Sequence, residues 1–153
     1  MEDIVKGMPG LNNDTEYYIM VPISNRNNMI YLPTDNDKAK VRPVMSAEEV
    51  KAVLDGIDRL NEYVIVNEKQ CEIVYKEAIY SLDCTKWLEL LKTLCVRKQT
   101  RALSGKKVTS TDERYFKNVS TKLTEELGVS LGREEAEKQI NRAIEIFEGC
   151  VSL

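Results

Sequence analysis

The sequence predicts an α+β protein: a small antiparallel β element over residues 1–45, then an all-α bundle of four to five helices over residues 46–153. Two observations carry this prediction. Up to residue 45, aromatic and β-branched runs alternate with clusters of Gly, Pro, Asn and Asp. From Ser46 onward, apolar residues recur at helical spacing behind helix-start signals.

Within the β part, "EYYIMVPI" (16–23) and "NMIYLPT" (28–34) have strand composition. "SNRNN" (24–28) joins them as a hairpin loop, and "GMPGLNND" (7–14) reads as an earlier turn. That leaves "MEDIVK" as part of a preceding strand. A free-standing sheet of two or three strands is marginal, so either the helices or another chain must complete it.

The first helix opens on Ser46-Ala47-Glu48-Glu49, a capping box, and Val50, Val53, Leu54, Ile57 and Leu60 share its apolar face. A second helix is expected over about 67–81. Asp83 is the expected N-cap of the third, with Trp87, Leu91, Leu94 and Cys95 on its stripe. "LSGKKVTSTD" (103–112) reads as a loop. Ser110 and Glu113 form a second capping box, Phe116, Val119, Leu123 and Leu127 follow on one face, and Gly128 suits the C-cap. The last helix, about 133–148, carries Ala136, Ile140, Ala143, Ile144 and Phe147. Each stripe reads as core, because helices of this length bury one another in a bundle.

Composition narrows the function. The 153 residues contain no histidine, which removes the usual general base near neutral pH together with Ser–His, Cys–His and Cys/His zinc chemistry. No enzyme activity and no cofactor are expected. Cys71, Cys84, Cys95 and Cys150 form no C-x-x-C pair, no secretory leader precedes them, and no apolar run approaches the ~18 residues of a membrane span. These features read as reduced thiols in a cytoplasmic protein without a membrane partner.

Charge location says more than the net charge of −3. From Lys92 to Lys122 nine basic residues face two acidic ones, a net of +7. The remainder from Leu123 onward is −4, with three basic and seven acidic residues. The basic block straddles one loop and the two helix ends it joins, which suits both a helix dipole and a phosphate-binding surface. No helix-turn-helix spacing, zinc finger or RNP-like motif is present, so only contact without base readout is supported. "SGKK" (104–107) lacks the first glycine and the Ser/Thr of a phosphate loop. Asn118-Val119-Ser120 matches a glycosylation sequon only in mid-helix, and Glu125-Glu126 has no pocket signal.

The segment "EYYIMVPI…NMIYLPTDNDKAKVRPVMSAEEV" resembles the CarD family of bacterial transcription regulators. The family pattern is a "YYVL" strand, a strand ending "VP-x-D-N", and "LRPVIS-x-EEV" opening a helix. The matching residues are Tyr17, Tyr18, Leu32, Pro33, Asp35, Asn36, Val41, Arg42, Pro43, Val44, Ser46, Glu48, Glu49 and Val50. "SLDCTKWLELLKTLCVRKQ" (81–99) and "GKKVTSTDERYFKNVSTKLTEELGVSLG" (105–132) are similar to the family's downstream helices.

The resemblance implies a Tudor-like N-terminal barrel that binds the RNA polymerase β subunit, through Met29, Ile30, Tyr31 and Leu32. It also implies a helical domain that contacts promoter DNA and steadies the open complex, in a cytoplasmic, nucleoid-associated protein. Two departures refine this. The family's opening "F-x-x-G-d-x-V-v-Y-p" strand is absent, so an incomplete barrel is expected, open to a strand-exchanged homodimer. The family's wedge tryptophan falls near Val64, where Tyr63 is the nearest aromatic and Asn67 and Glu68 replace basic residues. DNA contact is then expected from Tyr63, Lys76, Arg97, Lys98, Arg101, Lys106, Lys107 and Arg114. The alternative is a protein-interaction module of the same fold that has lost DNA binding.

Overall fold

Strand-forming residues pair at the N-terminal end. The structure, a computed structural model, describes residues 3–6, 16–22, 25–35 and 41–150, the first of these as backbone alone. The turn expected at 7–14 lies outside the described residues. Strands β1 (Asp3–Lys6), β2 (Glu16–Met20) and β3 (Ile30–Pro33) form an antiparallel sheet in the order β1-β2-β3. Its register sets Val5 opposite Tyr17 on one side, and Tyr18 opposite Leu32 and Ile19 opposite Tyr31 on the other. In the hairpin loop Asn25 N–H donates to Pro22 O, and Asn28 N–H to Asn25 O. Both strands of this hairpin were expected.

The chain divides into two compact units, Met1–Val41 and Arg42–Leu153. Residues 42–45, read from sequence as the end of the β part, are bonded within the helical unit. Glu126 is the reason. Its carboxylate accepts Arg42 NH1 at 2.7 Å and Met45 N–H at 3.2 Å. Arg42 Nε also donates to Leu82 O, and Ser130 Oγ to Met45 O.

The helical unit contains α1 (Ala47–Asp55), α2 (Cys71–Tyr80), α3 (Cys84–Leu103), α4 (Ser110–Leu131) and α5 (Arg133–Glu148). Ser46 caps α1 by accepting Glu49 N–H, and Asp83 caps α3 by accepting Thr85 N–H. The second helix starts later than expected. Asn67 caps a 3-10 turn over Glu68–Gln70, and α2 follows from Cys71. Between α2 and α3, Leu82 turns the chain at φ 53, and Ser81 Oγ bridges Ala78 O and Asp83 N–H.

Two helix ends differ from the sequence reading. Thr109, not Ser110, caps α4, its hydroxyl accepting Asp112 N–H. Ser110 is the first helical residue, and Asp112 follows in the first turn with its carboxylate turned inward. Gly128 does not end α4. The helix runs on to Leu131, and Gly132 ends it at φ 86, ψ 152, a conformation open to glycine alone.

The core joins all five helices. Val50 and Leu54 of α1 meet Tyr75 and Ala78 of α2, Leu88, Leu91, Leu94 and Cys95 of α3, Val119, Leu123 and Leu127 of α4, and Ala136, Ile140, Ala143 and Phe147 of α5. Every stripe expected from sequence supplies residues to it. Trp87 is buried, and its indole N–H donates to Ile79 O at 3.1 Å. Among the described residues no helix is long and apolar enough to cross a membrane.

Candidate nucleic-acid interface

The basic block folds into a loop, the two helix ends beside it and a groove along α4. In the loop, Gly105 adopts φ 72 and Lys106 N–H donates to Arg101 O at 2.8 Å. Arg101 Nε in turn donates to Lys107 O at 2.8 Å. This closes the loop on itself and leaves the Lys106 and Lys107 ammonium groups exposed, without a carboxylate partner among the described residues.

The groove, about 370 Å³, is open to solvent and lined by Arg114, Lys117, Asn118, Thr121, Lys122 and Glu125. Their spacing of three or four residues places them on one face of α4. Arg114 lies over the Tyr115 ring at 5.3 Å and pairs with Glu72 at 2.7 Å. Lys122 lies 6.0 Å from the Trp87 ring centroid. Lys117 is exposed. Lys117 and Lys122 belong to the basic block but were not among the expected contact residues. Their spacing of three and eight residues from Arg114, which keeps one helix face, was the signal available in the sequence.

The expected contact residues have different surroundings. Lys76 and Arg114 come together on Glu72, at 3.9 and 2.7 Å. Lys98 is half-exposed and faces Glu148 at 3.8 Å. Arg97 is turned inward, with a side chain 16% exposed. Its Nε donates to Asp112 Oδ2 and its NH2 to Glu68, both at 2.8 Å. Asp112, 1% exposed, also accepts the Tyr75 hydroxyl at 2.8 Å. Two carboxylates therefore occupy the guanidinium that was expected to meet phosphate, because a buried Asp112 requires a cation. The hydrogen bond and charge of Arg97 hold Glu68 below the usual carboxylate range.

Tyr63, expected beside a wedge position, is likewise committed internally. Its ring packs on the core, its N–H donates to Thr93 Oγ1 at 2.9 Å and its hydroxyl to Lys86 O at 3.4 Å. Burial, with Glu89 and Asp83 adding to it, pushes its phenol up to about 12.

In the sheet unit, Met29, Ile30, Tyr31 and Leu32 lie together in and just before β3, a strand at the end of the sheet order. Met29 and Ile30 are 62% and 50% exposed, and the Tyr31 hydroxyl reaches Met29 Sδ at 3.6 Å. Beyond β3 no strand pairs with it among the described residues.

No family model matches the chain, and neither does any curated protein.

Proposed function

We propose that the chain is a CarD-like transcription regulator. In this reading the sheet unit is a Tudor-like element whose β3 edge pairs with the RNA polymerase β subunit. The helical unit meets promoter DNA through phosphate contacts and steadies the open complex. The observation that carries the DNA half is the basic character of the α3–α4 loop and of the α4 groove, where Lys106, Lys107, Lys117 and Lys122 form no ion pair among the described residues although Glu125 also lines the groove. The exposed apolar edge at Met29 and Ile30 supports the polymerase half.

The phosphate contacts shift from the sequence expectation toward Lys117 and Lys122 and away from Arg97 and Tyr63. Binding of this kind weakens steeply with salt, by a log–log slope of about 0.9 per phosphate neutralised. A gel shift with forked promoter DNA should show binding at low salt. Reversing Lys106, Lys107 and Lys117 to Glu should abolish it and flatten the salt dependence, while Arg97→Lys should act mainly on stability. DNA binding indifferent to the triple reversal sinks the DNA half. Failure of a polymerase β fragment to co-purify with the chain sinks the other.

The commitment of Tyr63 and Arg97 to internal bonds favours a second reading, a polymerase-binding module without DNA contact. Retained polymerase binding with no DNA affinity at low salt distinguishes it.

A further inference from the structure

Arg42 and Lys122 share one indole. The Arg42 guanidinium carbon lies 5.5 Å from the Trp87 ring centroid, and Lys122 Nζ lies 6.0 Å from it. Both distances are within cation–π range. Trp87 is buried and its N–H is bonded to Ile79 O, so packing holds the ring in place. Two cations therefore meet beside the turn of α4 that carries Glu126.

Glu126 is committed to one of them. Its side chain is 10% exposed, and Oε1 accepts Arg42 NH1 at 2.7 Å and Met45 N–H at 3.2 Å. Arg42 is held from its other side as well, donating to Leu82 O and, at 3.1 Å, to Pro43 O. Lys122 precedes Glu126 by four residues, one helical turn. It nevertheless forms no ion pair among the described residues and lines the α4 groove beside Glu125.

Burial pushes the Cys84 thiol up to about 12, with Glu126 adding to the rise and Arg42 opposing it, so both charges act on one buried spot. Without Arg42 the Glu126 carboxylate would be buried and uncompensated, and would need another cation. Among the residues three or four positions from it along α4, only Lys122 is cationic. A lysine drawn onto Glu126 is lost to a phosphate.

We propose that Arg42 is a positioning residue for the phosphate-binding surface: by occupying Glu126 it keeps Lys122 free to face DNA. The inference rests on the proposed DNA contact through the α4 groove. It places control of that contact in the residue that opens the helical unit.

Fluorescence anisotropy on the full chain tests this, with a labelled forked DNA duplex over a series of salt concentrations. Arg42→Gln should weaken binding about fivefold and lower the log–log salt slope by about 0.9, the loss of one phosphate contact. Lys122→Ala should do the same. The double variant Arg42→Gln/Lys122→Ala should match either single variant, because both changes remove one and the same cation. Arg42→Gln/Glu126→Gln should regain the wild-type affinity and slope. Circular dichroism verifies each fold. If Arg42→Gln does not fold, Glu126→Gln decides: without the competing carboxylate it should bind at least as tightly as wild type, and weaker binding overturns the proposal. An Arg42 of structural value alone would lower stability and leave the slope unchanged. A general field effect would make the Arg42 and Lys122 losses additive. Either result overturns the proposal. A wild-type chain that binds no DNA at low salt overturns the DNA reading and this role with it; wild-type binding with an indifferent, folded Arg42→Gln overturns the role alone.

Discussion

Asp112 shows how one residue joins folding to the fate of a neighbouring charge. The Thr109 cap fixes its backbone, and its carboxylate then binds Arg97 and Tyr75 inside the bundle. Removing one partner of a buried ion pair strands the other, so Asp112→Asn should cost about 3 kcal/mol, read from the urea midpoint. A loss under about 0.5 kcal/mol would mean that the pair is not structurally important. Tyr63 makes a prediction in alkali. Its phenol is raised from 10.0 to about 12 in the folded chain, so the unfolded chain loses the proton first. The associated stability is complete below pH 10 and disappears as pH rises through 12. Tyr63→Phe should therefore flatten the fall in urea midpoint between those values; an unchanged slope rejects this account.

At the scale of the element, the α3–α4 connection decides both a helix start and the presentation of charge. Sequence offered Ser110 with Glu113 as a capping box, and the observed cap is Thr109. The two are separable by mutation. Thr109→Ala should lower stability by about 1 kcal/mol, whereas Ser110→Ala should stay within about 0.5 kcal/mol in thermal unfolding. A reversed order would restore the sequence expectation. The stripes of α3, α4 and α5 were legible because a period near 3.6 is imposed by one buried face. The ends of α2 and α4 were not. Gly128 and Gly132 are both admissible stops, and only Gly132 takes the positive φ that ends the helix. The destination of Arg97 was equally hidden. Its burial depends on Asp112, 15 residues away, and Glu68, 29 residues away.

At the scale of the molecule, the buried cluster draws all its members from Val50 onward, within the unit Arg42–Leu153. Residues 42–153 expressed alone should thus unfold cooperatively and keep the helical circular-dichroism signal of the whole chain. A non-cooperative transition would show that the sheet unit is required. Sequence by itself determined the α+β order, the β hairpin, the helical stripes and the position of the basic block, because periodicity, turn chemistry and charge are local properties. Tertiary structure decided where each charge points. It set Arg97 on Asp112, Arg42 on Glu126 and Tyr63 on Thr93, and it left Lys117 and Lys122 facing the groove. A buried carboxylate must find its cation wherever packing brings one, and that distance is not written in local sequence.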